Sequence, residues 1–493
     1  MNMKEALAKE ANYTRTENGA VALKSTGEAL VDLFGVIGSL RQADELRKTT
    51  LFSEAYKCDP LIATKMLFYA RDIRGGLGER DTFRDILKFM ANHHPEIVEL
   101  NIDLIPEYGR FDDWYVLVDT PVESLMWEKM GAVLKSDLAN MEQGKPCTLL
   151  AKWIKTADSS QKATRELGIK TALKLGYKVP EFKRLVRKLR RYIGVLEVSL
   201  CEKAYENIVY ETVPSKAMLR YRNAFTRNDE ARFKSYLESL SKGEAKINAS
   251  TLYPYDLVKV YRHNSKEDPV VEAQWKELPD YLEDVENSNV LVMCDVSGSM
   301  TWSSAYPLDT SVSLSIYFAE RNKGMFADTF MIFSENPQFL TLRGETLAQK
   351  YHNVLMDGNK CIGYSTNLGK AFENVLSVAI KHNVPQSDMP AAIVIISDME
   401  IDRCDESKYN ESFYETMKRR YAEHGYEIPN IVFWNVESRQ DTFHADARRP
   451  GVQLVSGSSP VSFKNMLTCI GYDAYDAMIK TLSNERYDAI RIS

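Results

Sequence analysis

No run near twenty consecutive apolar residues occurs in the 493-residue chain, so no segment reads as a membrane span and no membrane partner is expected. The opening MNMKEALAKEANYTRTENG has no apolar core and does not read as a secretory signal. Cysteine is sparse: seven residues, scattered, odd in number and without a C-x-x-C pair, as in a reducing, cytoplasmic compartment. Cys58, Cys201 and Cys294 stand in apolar settings and read as buried thiols. The seven histidines form no ligand cluster, and neither H-E-x-x-H nor G-x-S-x-G is present. The glycine-rich stretch Arg74-Gly75-Gly76-Leu77-Gly78 lacks a Gly-Lys-Ser/Thr ending and follows a helical pattern, so it reads as a helix end and tight turn, not a phosphate loop.

What is present is a soluble composition, 44% apolar and 27% charged, in a chain long enough for two or three domains. The most informative stretch is VLVMCDVSGSM, Val290 to Met300. Its apolar run predicts a strand buried on both faces. The run ends in Asp295, Ser297 and Ser299, three oxygen-bearing side chains at alternate positions. Such a set either holds a hard divalent cation, with water or a partner's oxygen completing the shell, or forms a turn that caps the next helix. Downstream, Gly363-Tyr-Ser-Thr366-Asn367 opens a helix whose Leu368, Ala371, Phe372, Val375, Leu376 and Ala379 share one face. The Thr366 hydroxyl either caps that helix or reaches a metal. A second buried run, Ala391 to Ile396, ends in Ser397-Asp398. Three loops at the carboxyl ends of strands thus offer Asp295, Ser297, Ser299, Thr366 and Asp398 at the edge where open α/β sheets bind ligands. Glu400 and Asp402 are either groups supporting that site or a solvated acidic loop. Further strands are expected at Phe326 to Phe333, Asn430 to Trp434 and Gly451 to Val455, with helices between them, including Asn410 to Glu423 and a last one at Ala474 to Leu482.

The first half reads differently. Residues 1–26 are polar and aperiodic, expected as a loose arm. From residue 27 to 262 helices follow in succession: Leu40 to Tyr56, Leu61 to Ile73, Glu79 to Asn92, Pro95 to Tyr108, Val122 to Met141 and Pro180 to Glu197. The Met residues of the fifth read as core filling. Short helices with tight turns describe a helical-repeat module. Residues 263–288 are acidic and read as a linker to the module at 289–493.

Charge is unevenly spread. Residues 1–150 carry 18 Lys+Arg against 24 Asp+Glu, residues 151–262 carry 24 against 12, and residues 263–493 carry 21 against 33. On the Pro180 to Glu197 helix, Lys183, Arg184, Arg187, Lys188, Arg190 and Arg191 occupy the faces away from the apolar stripe, and Arg220 and Arg222 follow. This surface suits phosphates, unless the acidic C-terminal module neutralises it internally. Tyr221, Phe225 and Phe233 lie among the cations; they read as base-stacking groups or as core, the two Phe as core.

The pattern D-x-S-x-S, later Thr, later Asp resembles the metal-ion-dependent adhesion site of von Willebrand factor A domains. The resemblance implies Mg²⁺, or another divalent cation, held by Ser297, Ser299 and Thr366, with Asp295 and Asp398 acting partly through water. LFYARDIRGGLGERDTFRDIL, YGRFDDWYVL, LAKWI, FKRLVRKLRRYIGVLE, VPSKAMLRYRNAF and IVFWNV resemble an uncharacterised family with a helical N-terminal region and a C-terminal von Willebrand A domain. That family is similar in plan to the Ro ribonucleoproteins, whose TROVE module is a ring of HEAT-like helical repeats. The resemblance implies an α plus α/β fold, with an all-α module followed by a Rossmann-like A domain. It also implies RNA, as single-stranded ends or small structured non-coding RNA, as a partner. An alternative is a scaffold whose metal binds a carboxylate donated by a protein partner, with no RNA role. No enzymatic activity is expected, since D-x-S-x-S lacks the second Asp of a phosphotransferring D-x-D loop.

Overall fold

The structure, a computed structural model, describes Met3 and residues 11–283, 289–301, 303, 307–361, 366–403 and 411–493. It begins with order where a loose arm was expected. β1 (Tyr13–Arg15) pairs antiparallel with β2 (Val21–Leu23) around the turn Thr16-Glu17-Asn18-Gly19, where Gly19 takes φ +86°. Leu23 exchanges backbone hydrogen bonds of 2.8 and 2.9 Å with Phe443, more than 400 residues away. The arm is ordered by pairing with a distant segment, which no local periodicity reveals. Residues 1, 2 and 4–10 of that arm lie outside the described residues.

Helices follow as the 3.6-residue spacing predicts: α1 (Ala29–Val36), α2 (Glu45–Cys58), α3 (Pro60–Arg71) and α4 (Asp81–His93). Asp44 and Asp59 cap the second and third, accepting from the amides of Arg47 and Ile62. The expected helix from Pro95 to Tyr108 is instead α5 (Pro95–Asn101), a 3-10 turn (Ile102–Leu104) and α6 (Ile105–Tyr108). Pro106 explains the break, because it has no amide to donate and its ring clashes with the carbonyl four residues back. After a 3-10 turn at Phe111–Leu117 come α7 (Glu123–Glu142), α8 (Leu150–Trp153), α9 (Lys162–Lys174), α10 (Val179–Tyr192) and α11 (Leu196–Glu202). Gly194, at φ +65°, separates the last two where one helix was expected. Then α12 (Ser215–Asn228), α13 (Glu230–Ser241) and α14 (Pro254–Val258) complete the series. Met126 and Met130 are buried, as are Phe225 and Phe233, whose rings lie 5.4 Å apart in a cluster around Tyr210. Cys294 is buried, but Cys58 and Cys201 are exposed, because each sits on the solvent side of a helix's last turn.

Residues 263–288 do not serve merely as a linker. They contain α15 (Pro269–Lys276), whose Val271 and Trp275 are buried, and Trp275 Nε1 donates to Glu320 Oε2 at 2.7 Å. Residues 284–288 lie outside the description.

The C-terminal half comprises β3 (Val290–Asp295), α16 (Pro307–Arg321), β4 (Thr329–Phe333), β5 (Gln338–Thr341), α17 (Leu347–Cys361), α18 (Leu368–His382), β6 (Ala392–Ser397), α19 (Phe413–Glu423), β7 (Asn430–Asn435), β8 (Val452–Ser456), α20 (Val461–Leu467) and α21 (Ala474–Leu482). Asn410, the expected start of the helix before β7, lies outside the described residues. The sheet runs β5-β4-β3-β6-β7-β8, parallel except for the short edge strand β5, which the sequence reading missed. The fold is therefore α plus α/β.

The two halves share their cores. One sheet face lies in the same hydrophobic cluster as helices α1 to α10, and the other face joins residues 219–282. Contact at the edge is close: a Cβ on Gly38 would stand 2.6 Å from the carbonyl oxygen of Ser456. The C-terminal residues return to the helices, where Asn101 and Arg491 exchange hydrogen bonds of 2.6 and 2.9 Å and Arg486 forks onto Asp72.

Candidate functional site

β3 and β6 are parallel neighbours at the centre of the sheet. The chain leaves β3 for β4 on one side and β6 for β7 on the other, which opens a crevice at their carboxyl ends. Both strands are buried throughout because both faces are covered. Cys294 pairs with Ile396, so the first polar residues past each apolar run, Asp295 and Ser397-Asp398, emerge side by side. Asp295, Ser297, Ser299 and Asp398 are close together here. Ser297 Oγ and Ser299 Oγ lie 3.1 Å apart. Asp295 Oδ1 accepts from the Ser297 amide at 2.8 Å, and Asp295 Oδ2 from the Ser397 hydroxyl. Thr366 is brought in by its flanks: the Asn367 amide donates to Ser334 O at 3.2 Å, and the Asp402 amide to Thr366 O at 3.1 Å. Asn367, not Thr366, caps α18, accepting from the Lys370 amide at 2.9 Å. The Thr366 hydroxyl is thus not spent on capping. Residues 363–365, which open this stretch, lie outside the described residues.

The electrostatics are those of an anionic pocket. Asp295 and Asp398 are 0% and 1% exposed. Burial pushes both carboxyls up, and the charge of Asp398 raises Asp295 further; Arg439 pulls Asp398 back toward ionisation. Arg439 Nη2 donates to Asp398 Oδ2 at 2.5 Å. Glu400 is buried, not a solvated loop residue, and desolvation pushes it up to about 7. Glu437 is also buried and raised by desolvation, with Oε2 unpartnered. Among the described residues no three His, Cys, Asp or Glu converge as a metal cage. The donors that do converge are hydroxyls backed by two carboxylates. Adjacent ligands of an octahedral Mg²⁺ lie about 3 Å apart, since its bonds are about 2.1 Å. The Ser297–Ser299 separation of 3.1 Å matches that edge, and two buried carboxylates with one arginine partner leave charge for a cation to offset. The donor set therefore fits a small, hard cation completed by water.

Sequence reasoning missed Arg439, Glu437, Glu17 and Asn18. The first two follow β7, and the rule that sites gather at the carboxyl ends of strands points to that loop. Glu17 and Asn18 arrive from the N-terminal hairpin with no local signal. Met399 takes φ +66°, and its carbonyl accepts from His444 Nε2 at 3.0 Å. His444 is buried with Nδ1 unpartnered, and burial holds it neutral, lowering its pKa to about 4. The unfolded chain therefore binds the extra proton between about pH 6.5 and 4, and the stability due to neutral His444 is lost as pH falls through that window. The unfolding free energy of wild type relative to His444→Phe is expected to fall by roughly 2–3 kcal/mol from pH 7.5 to 4.5. Denaturant titrations at the two pH values check this, and a pH-independent difference would refute it.

The basic residues divide. Arg184, Arg187 and Lys188 are exposed and make no ion pair among the described residues, and Lys183 is half-buried. With Arg191, which pairs with Glu202, Arg184, Arg187 and Lys188 fall at i, i+3, i+4 and i+7 on one stripe of α10. Arg220 is exposed on α12. Two expected surface residues are structural instead. Arg190 donates to Ala151 O and Ile154 O at 2.8 and 2.9 Å, closing α8, and Arg222 is held by Asp268. Near Arg190 the structure adds a group the sequence reading did not select. Arg84 and Arg110 flank Asp112, Arg110 stacks 4.1 Å over Trp153, and Lys155 is half-buried with its ammonium penalised by burial and by these guanidinium groups. Between residues 151–262 and the C-terminal module, the ion pair among the described residues is Arg262 with Asp309.

Two family models match the chain, each described as a domain of unknown function: DUF2828 over residues 16–111 and 132–287, and DUF7788 over residues 289–489. The two matches meet at the start of the sheet module, and the first includes the N-terminal turn. An uncharacterized protein, L728, of Acanthamoeba polyphaga mimivirus is 27% identical over 515 residues, spanning 96% of this chain and 87% of that relative.

Proposed function

Since the chain belongs to the family of the domain of unknown function DUF2828, whose chemistry that description leaves open, we propose from its surfaces that it is a non-enzymatic RNA-binding protein. In this reading the helical module is of the Ro-like, HEAT-repeat kind, and the C-terminal module is a von Willebrand A-like domain with a Mg²⁺ site. The observation that carries it is the α10 stripe, where Arg184, Arg187 and Lys188 face solvent without acidic partners among the described residues. Internal neutralisation by the acidic C-terminal module is the simplest competing account of the charge asymmetry. It is not supported by the ion pairs among the described residues, which cross between the two regions at Arg262–Asp309. Past Arg190 lie the half-buried Lys155 and two arginines, Arg84 and Arg110, that Asp112 and Asp113 already pair. Phosphates bind a surface such as the α10 stripe by releasing counterions.

At the metal centre, Ser297, Ser299 and Thr366 would hold Mg²⁺ directly, with Asp295 and Asp398 reaching it through water. The cation would supply charge neutralisation for the buried pair and an open position for a partner's oxygen. A second reading, a protein-interaction scaffold that uses this centre and binds no RNA, is favoured by the polypeptide turn that already contacts it.

RNA that co-purifies with the full chain tests the first reading. Recurring species released by a high-salt wash are expected. Protein free of nucleic acid, with no affinity for single strands at moderate salt, would put the scaffold reading first.

A further inference from the structure

The turn between β1 and β2 is bound along a ledge formed by residues 398–402 and 439–440. Thr16 Oγ1 donates to Ile401 O, the Glu17 amide to Glu400 Oε2 and Asn18 Nδ2 to Glu400 O, each at 2.6 Å. Gly19 forms a β-bridge with Asp402. The Glu17 carboxylate lies 3.3 Å from Arg439 Nη1 and accepts from Gln440 Nε2 at 3.3 Å. The other terminal nitrogen of Arg439 holds Asp398, so one guanidinium bridges the carboxylate of the turn and that of the candidate metal centre. Asn18 Nδ2 also stands 3.4 Å from Thr366 Oγ1.

These contacts read four different groups in order. A carbonyl takes a hydroxyl, a carboxylate takes a backbone N–H, a guanidinium and an amide take a carboxylate, and a backbone edge takes the glycine. Each polar group of the turn thus meets a matching partner on the ledge. The buried Glu400 has a reason to be in place: its Oε2 accepts an amide that only a docked polypeptide supplies.

We infer that this ledge is a recognition surface for an acidic β-turn, and that the chain's own Thr16-Glu17-Asn18-Gly19 is its resident occupant. The turn stands where a protein partner's carboxylate would approach Thr366 and Asp398. That last step rests on the metal reading proposed above, while the ledge itself rests on contacts within the chain. A tethered occupant acts at an effective concentration of about a millimolar or more, so an acidic turn from another protein competes only when the internal one is released.

The test uses the full-length chain in EDTA, with Glu17→Ala/Asn18→Ala as the released form and Gln440→Ala as a milder change on the ledge side. Trypsin cleavage after the exposed Arg15, which holds the turn by donating to Gly19 O at 2.9 Å, reports undocking. It should be about tenfold faster in the double variant and a few-fold faster in Gln440→Ala. A fluorescein-labelled cyclic peptide of residues 13–22, followed by anisotropy, should bind the double variant at least tenfold more tightly than wild type. Unchanged cleavage, or a peptide that binds neither protein, overturns the surface. If both readouts behave as expected but wild type shows no Mg²⁺-dependent change in melting temperature, the ledge stands and the metal reading falls.

Discussion

Asp295→Asn is expected to abolish the stabilisation of this protein by Mg²⁺ while leaving the metal-free protein as stable as wild type, or more so, at pH 8. The two halves of that result have one cause. Asp295 and Asp398 are buried together and repel, and Arg439, which also holds Glu17, pairs with Asp398 and not with Asp295. Without a cation the fold carries that repulsion. An asparagine keeps the shape, accepts from the Ser297 amide through its oxygen, and offers its NH₂ to Ser397 Oγ, so the hydrogen bonds of the carboxylate survive. It removes the charge that a cation would balance. Wild type should gain about 2.7 kcal/mol at a Mg²⁺ concentration one hundred times its dissociation constant, and the variant should gain close to none. Differential scanning fluorimetry in EDTA and across a Mg²⁺ series measures both arms. A variant that keeps the full Mg²⁺ response would place the cation elsewhere or remove it from the account.

The residues of this centre were legible because each lies within a residue or two of the end of a buried strand or the start of a helix. Apolar runs fix where β3 and β6 end, and a parallel sheet brings such ends to one edge, so Asp295 and Asp398 could be brought together from spacing alone. For Thr366 the helix start offered two roles, cap or ligand, and Asn367 takes the cap. What could not be read was whatever depends on contact between distant segments. Leu23 pairs with Phe443, Glu17 meets Glu400 and Arg439, and Arg486 returns to Asp72. The N-terminal stretch has no periodicity, because a three-residue strand ordered by a partner hundreds of residues away needs none. The supposed linker at 263–288 failed for a related reason. Its acidic surface hides Val271 and Trp275, which lie in one buried cluster with α16 and a face of the sheet. Charge misled as well. Arg190 and Arg222 look like their neighbours in sequence, yet their side chains close a helix and an ion pair.

That division of the basic residues makes the second large prediction specific. Arg184→Ala/Arg187→Ala/Lys188→Ala should weaken binding to single-stranded RNA by about 100-fold near 0.1 M salt. The figure follows from counterion release, in which each phosphate contact on a single strand contributes a slope of about 0.7 in log affinity against log salt, or about fivefold at that concentration. The log–log slope itself should flatten by about 2. All three side chains are exposed on one stripe and make no ion pair among the described residues, so their removal should leave thermal stability within about 0.5 kcal/mol of wild type. Arg190→Ala is the opposite case. It strips the carbonyls of Ala151 and Ile154 of a donor, so it should lower the melting temperature, and its effect on RNA should follow from that loss of structure. Filter binding at four salt concentrations, with melting curves for each variant, separates the two. An unchanged salt slope in the triple variant would show that phosphate is not read by α10. Lys155, half-buried beside Arg84 and Arg110, would then be the next cation to alter.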